Sequence, residues 1–188
     1  MMDFHFNNVW TALSEAFPDR PALICEGNTV TWSEFNDRAA RLSGLFQSHK
    51  VTSGASVGLY MLNCNEYTEA HFGCFKSALC PVNVNYRYRS EELVYLLDNS
   101  DAQVVIYHAS YAPRVKEIRE SLPNIKLYIQ VDDESGEPLL EGAIDYDDAI
   151  RSSAPVPFTP GKFEDRYMLY TGGTTGMPKG VMYDNGAL

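Results

Sequence analysis

The stretch Tyr170-Thr171-Gly172-Gly173-Thr174-Thr175-Gly176-Met177-Pro178-Lys179-Gly180-Val181 has the residue types and spacing best suited to chemistry in this chain. A phosphate needs several short hydrogen-bond donors converging on one concavity, and backbone N–H groups approach most closely where side chains are absent. Gly172, Gly173 and Gly176 allow that approach and accept backbone angles closed to other residues. Thr171, Thr174 and Thr175 add hydroxyl donors at the rim. Lys179 adds one compact positive charge, suited to a phosphate or a departing pyrophosphate. Pro178 offers no N–H; its task is to stiffen the loop and keep Met177 extended.

A Walker A loop would need Gly-Lys-Ser/Thr in sequence and a helix after it. Here Gly176 and Lys179 are two residues apart, and Val181-Met182-Tyr183 reads as a strand. The pattern is a strand–loop–strand phosphate clamp. Other candidate groups favour plainer readings. His71 falls on a helix and reads as a packing residue, while His5, His49 and His108 have no partner pattern. Asp132-Asp133-Glu134 lacks the glycine and spaced acids of a calcium loop. Cys25, Cys64, Cys74 and Cys80 form no C-x-x-C pair and read as reduced, mostly buried thiols.

The elements that must position the clamp follow from periodicity. Residues 9–17 have helical apolar spacing that stops at Pro18. Residues 22–25 and 29–31 read as antiparallel strands about a turn at Glu26-Gly27-Asn28. Thr31-Trp32-Ser33-Glu34 resembles a capping box opening a helix with Phe35, Ala39, Leu42 and Phe46 on one face and Asp37, Arg38 and Arg41 towards water. Strands and helices then alternate: strand 56–61, a helix capped by Asn65 and running to about Ala78, an extended segment at 80–82, and helix 91–97 capped by Ser90. Strand 103–107, a helix with Pro113 in its first turn, and strand 125–131 follow. Residues 132–142 are a polar loop, 145–150 a short helix, 152–161 a proline-bearing connector and 167–170 a strand leading into the clamp. The alternation predicts an α/β fold, a largely parallel sheet flanked by helices.

Composition narrows the function classes. With 188 residues and 45% hydrophobic content, the chain can bury a sizeable core. Fifteen basic and 25 acidic residues give a net charge of −10, which disfavours a nucleic-acid partner. An anionic ligand must then be held by a local device. The N-terminus lacks the layout of a signal peptide, and no apolar run approaches the roughly 18 residues of a membrane span. A cytoplasmic protein with no integral membrane segment is expected.

Residues 170–181 closely resemble the phosphate-binding signature of the adenylate-forming (AMP-binding) superfamily. Weaker likenesses run through most of the chain. Val30-Thr31-Trp32-Ser33-Glu34-Phe35 is similar to an early Thr-Tyr-x-Glu-Leu segment of that superfamily, and Gly73 to Ala78 with Pro81-Val82-Asn83 is similar to its helix-then-Pro-x-Asn segment. Arg89, Glu92, Leu93 and Leu96 before Ser100-Asp101-Ala102 continue the likeness. The wording is most like bacterial acyl-CoA synthetases.

The resemblance implies an incomplete N-terminal domain of an adenylate-forming enzyme: residues 1–151 a first α/β subdomain, 152–165 a connector, and 166–188 the start of a second. It implies ATP, Mg2+ carried mainly by the phosphates, coenzyme A as co-substrate, and a fatty or hydrophobic carboxylic acid. The ATP phosphates would meet Thr171, Gly172, Gly173, Thr174, Thr175, Gly176 and Lys179. Two departures stand out. Asp184-Asn185 occupies the place of a frequent Ser-His pair, and Ala78-Leu79-Cys80 displaces a usual glycine before proline. No residue here is assigned a catalytic role, and the adenine, ribose and late-lysine motifs of relatives are expected beyond Leu188. A fragment without turnover is thus expected; a non-catalytic nucleotide-binding module, or an enzyme serving a carrier protein, are the alternatives. Oligomeric state has no signal.

Overall fold

The computed structural model describes residues 4–171 and 177–188. Helix α1 (Phe6–Ala16) starts three residues before the expected 9, because the His5 side chain accepts the Asn7 N–H and supplies the cap. Strands β1 (Pro21–Cys25) and β2 (Asn28–Thr31) form the expected antiparallel hairpin. Its two turn residues, Glu26 and Gly27, both have positive φ (49° and 85°), the geometry that matches strand twist in a tight hairpin. Helix α2 (Trp32–Ser48) opens with a full capping box: Thr31 Oγ1 accepts the Glu34 N–H and Glu34 accepts the Thr31 N–H.

The alternating stretch comprises β3 (Ser56–Tyr60), α3 (Asn65–Lys76), β4 (Cys80–Asn83), α4 (Ser90–Asn99), β5 (Ala102–His108), α5 (Ala112–Ile118), β6 (Leu127–Val131), β7 (Ile144–Asp145) and α6 (Tyr146–Ser152). Strands β8 (Arg166–Thr171) and β9 (Lys179–Asp184) follow. Two expected caps and one expected helix start shift by one position. Cys64, not Asn65, caps α3 by accepting the Tyr67 N–H at 3.3 Å; Arg89 precedes α4; Asp145 caps α6 rather than starting it. Strand β6 begins at Leu127 rather than 125, because Ile125 is tied back to Leu122 in a turn.

The main sheet has seven strands in the order β7-β6-β5-β3-β4-β8-β9. Every pair is parallel except the last, β8 with β9. The expectation of a largely parallel α/β sheet holds. Strand β3 is buried on both faces, as parallel strands covered by helices require. Alternate residues divide the core into two layers. Val57, Leu59, Val104, Ile106 and Ile129 meet α2, α3 and α6, while Tyr60, Val82, Val105 and Tyr107 meet α4 and α5. A third, aromatic cluster built on Phe35 and Phe72 joins α2, α3 and the β1–β2 hairpin, with Trp10 of α1 against it. Among the described residues no helix is long and apolar enough to cross a membrane.

Candidate functional site

The clamp hangs on the β8–β9 hairpin. Its register runs from Arg166 opposite Asp184 to Thr171 opposite Lys179. Thr171 and Lys179, eight apart in sequence, are therefore brought face to face at the mouth of the loop, and both are exposed. Gly172, Gly173, Thr174, Thr175 and Gly176 lie outside the described residues. Among the described residues Lys179 has no ion-pair partner, so its charge is free for an anion. Pro178 is buried beside it, while Met177 is exposed.

The hairpin is held at few points. Among the described residues Val82 of β4 and Met168 of β8 form the one ladder pair between the hairpin and the parallel strands. Tyr170 donates its hydroxyl to Asn99 Oδ1 at 2.8 Å, and burial pushes the Tyr170 phenol up to about 12, keeping it a neutral donor. Gly180, opposite Tyr170, leaves room for that ring; a Cβ there would lie 3.0 Å from both Met168 Sδ and the ring. Tyr167 faces the rings of Phe6, His71 and Phe75. His71 is the buried packing residue expected, with Nδ1 2.9 Å from Tyr67 O and its pKa lowered by burial.

Several polar groupings had no sequence signal. Arg38, expected to turn towards water, instead bonds Glu69 at 2.8 Å and Asp147 at 2.9 Å, and Tyr146 donates to the other Glu69 oxygen. A helical wheel shows which face of α2 is polar, but not that carboxylates on α3 and α6 will face it. Burial raises the Glu69 pKa, and Arg38 works against that rise. His108 Nε2 stands 3.5 Å from Cys64 Sγ, yet burial pushes the Cys64 thiol up to about 12 and makes it a poor nucleophile at neutral pH. All four cysteines are free, two of them buried. Asp133 accepts the Ser110 and Ser135 N–H groups. Among the described residues no group of three His, Cys, Asp or Glu side chains is placed to hold a metal.

A cleft of about 670 Å³ opens at the carboxyl ends of β3, β5 and β6, lined in part by Cys64, Glu66, His108 and Asp133. Thr171 and Lys179 do not line it. Thr171, at the carboxyl end of β8, stands on the same edge of the sheet as this cleft, two strands beyond β3. The cleft's acidic lining repels phosphate, so size alone does not make it the nucleotide site.

Residues 10–188 match the family model described as AMP-binding enzyme. This chain belongs to the AMP-binding enzyme family. It is 44% identical over 92% of its length to the medium-chain acyl-CoA ligase Mig of Mycobacterium avium, covering 34% of that protein. It is 39% identical over 88% of its length to the 3-oxocholest-4-en-26-oate–CoA ligase of Rhodococcus rhodochrous, covering 30%. The fold superposes on an anthranilate CoA ligase bound to anthranoyl-AMP with a TM-score of 0.89, at 24% identity, over 99% of this chain and 36% of that one. The chain thus spans about a third of the length of the relatives it matches. The likeness read at residues 170–181 holds at the level of the family.

Proposed function

We propose that this chain is the N-terminal part of an ATP-dependent, AMP-forming acyl-CoA ligase, and that the β8–β9 hairpin grips the ATP phosphates. The observation that carries the reading is the pairing of Thr171 with Lys179, which sets a hydroxyl and a cation opposite each other at the mouth of a glycine-rich loop. The names of the relatives support the thioester-forming class. In the first half-reaction a carboxylate oxygen attacks the α-phosphorus and pyrophosphate leaves with the bridging electrons. In the second, the coenzyme A thiolate attacks the acyl carbon and AMP leaves. Lys179 and the N–H and hydroxyl donors of Thr171, Gly172, Gly173, Thr174, Thr175 and Gly176 would stabilise charge on the departing pyrophosphate.

As a set of N–H and hydroxyl donors with a cation, these groups fit phosphate oxygens, and Mg2+ would ride mainly on the nucleotide. Bound there, it would neutralise phosphate charge. Medium-chain and steroid acids appear in the names of relatives, which supports a hydrophobic carboxylic acid as the substrate class. On this reading residues 1–151 form the first subdomain, 152–165 the connector and 166–188 the start of the second, in a cytoplasmic enzyme.

The test is acid-dependent exchange of pyrophosphate into ATP by the complete gene product, followed by thioester formation with coenzyme A. Exchange without the thioester would reassign the acceptor to a carrier protein. No exchange with any hydrophobic acid would leave a nucleotide-binding module and sink the reading. The 188-residue chain alone is expected to bind ATP weakly and to show no turnover.

A further inference from the structure

Among the described residues the hairpin that presents Thr171 and Lys179 shares one ladder pair with the parallel strands, Val82 with Met168, and so short a ladder fixes its tilt less firmly than a long one. Further contacts lie on either side of that pair. On the tip side is the Tyr170–Asn99 bond. On the base side is Asp165, immediately before β8. Its carbonyl accepts the Asn185 N–H at 2.8 Å, just past the end of β9, and so closes the hairpin base. Its Oδ2 accepts the Lys162 N–H at 2.9 Å and lies 3.2 Å from His5 Nε2.

His5 is fully buried, and its Nδ1 accepts the Asn7 N–H at 3.0 Å. A nitrogen that accepts a bond cannot carry the proton, so neutral His5 holds it on Nε2, facing Asp165. The N–H does not point straight at the carboxylate, so this contact is an attraction of opposite polarity, short of an aligned hydrogen bond. Neighbouring bonds reinforce it. Asn7 Nδ2 donates to Thr159 O at 2.9 Å, Asn8 Nδ2 donates to Gly161 O at 3.3 Å, and the Gly161 N–H donates to Asn8 Oδ1 at 2.9 Å. Gly161 must be glycine for this approach, since a Cβ there would stand 2.3 Å from His5 Nδ1.

We propose that His5 is a positioning residue for the phosphate clamp: with Asp165 it ties the base of the β8–β9 hairpin to the start of α1 and so sets where Thr171 and Lys179 stand. The role rests on the ATP-dependent reading above. Asp165 and Thr171 are each three residues from Met168, or about 10 Å at strand rise, so a tilt at the base returns at the tip in equal measure. Helix α1 also packs on β8 through Phe6 and Tyr167, which makes it a firm post for the tie.

The experiment uses the complete gene product. His5→Asn keeps an oxygen to cap α1 but removes the imidazole; Asp165→Asn removes the charge but keeps the backbone carbonyl. The measurements are KM for ATP and kcat in acid-dependent pyrophosphate exchange, with hydrogen exchange of the Asn185 and Gly186 amides, which bond Asp165 O and Phe163 O. Each variant is expected to raise the ATP KM about fivefold to tenfold with kcat within about twofold, and to speed exchange at both amides. The double variant should be no worse than either single one, because both remove one contact. Additive effects, or an unchanged ATP KM in both variants, overturn the proposal. If His5→Asn does not fold, Asp165→Asn decides by itself. Absence of pyrophosphate exchange in the unsubstituted protein sinks the ATP reading and this role together. Exchange with an unaltered ATP KM in the variants sinks only the role.

Discussion

Strand β3 and the β8–β9 hairpin belong to one sheet but live by different physics. Strand β3 is flanked by β4 and β5 and buried at every residue, with helices on both faces. Among the described residues strand β9 is exposed along its whole length and pairs with β8 alone. Burial determines the first through many small dispersion and transfer contributions, none indispensable in kind. The second is held by fewer contacts, among them the Tyr170–Asn99 bond and the Tyr167 ring contacts, and it presents Lys179, the cation proposed to meet phosphate.

The contrast can be broken most forcefully at the centre. Leu59→Ala, at a residue with no exposure, should destabilise the chain by about 2–5 kcal/mol in denaturant titration, because the covering helices cannot fully collapse into the void. Next comes the clamp. Lys179→Ala in the complete gene product should lower kcat/KM for ATP by about 10- to 100-fold, while the denaturation midpoint stays within about 0.5 kcal/mol of the parent. A large loss of stability there would contradict the separation between the two regions. Tyr170→Phe removes the hydroxyl bond to Asn99 and should cost about 0.5–1.5 kcal/mol, with a rise in ATP KM.

A pH titration sharpens the same comparison at the hairpin base. Burial holds the His5 pKa below its ordinary value of 6.5, with Asp165 opposing. The unfolded chain therefore takes up the proton first, and the His5 contribution is full above about pH 6.5 and lost as pH falls below it. Protonating Nδ1 would set it donor to donor against the Asn7 N–H. His71 and His108, also lowered by burial, act in the same sense, so His5→Asn should flatten the acid slope of stability in part. An unchanged slope would remove His5 from this account. The smallest effect is expected on β9, where Val181→Thr should change stability by less than about 0.5 kcal/mol.

Local features were read well because their causes are local. The Thr31–Glu34 capping box, the Glu26-Gly27 turn and the proline in the first turn of α5 each depend on neighbours in sequence. The clamp flanks were equally legible, since strand periodicity on both sides of the glycines requires a hairpin. Helix and strand starts were missed by a few residues through local caps and turns, as at His5, Cys64 and Ile125, whereas the missed side-chain pairings have partners distant in sequence. Arg38 is 109 residues from Asp147, and His5 is 160 from Asp165. The two-residue β7 is too short for any periodicity to show.

From residue types alone came the alternation of helix and strand, the phosphate-suited loop and the likeness to the AMP-binding family, because propensity, period and motif are written in neighbouring residues. Only the tertiary structure decided the strand order, the face-to-face placement of Thr171 and Lys179, and the tie between the first helix and the hairpin base. Those depend on which surfaces meet when the core closes, and a buried imidazole–carboxylate contact or a shared carbonyl exists only after that meeting.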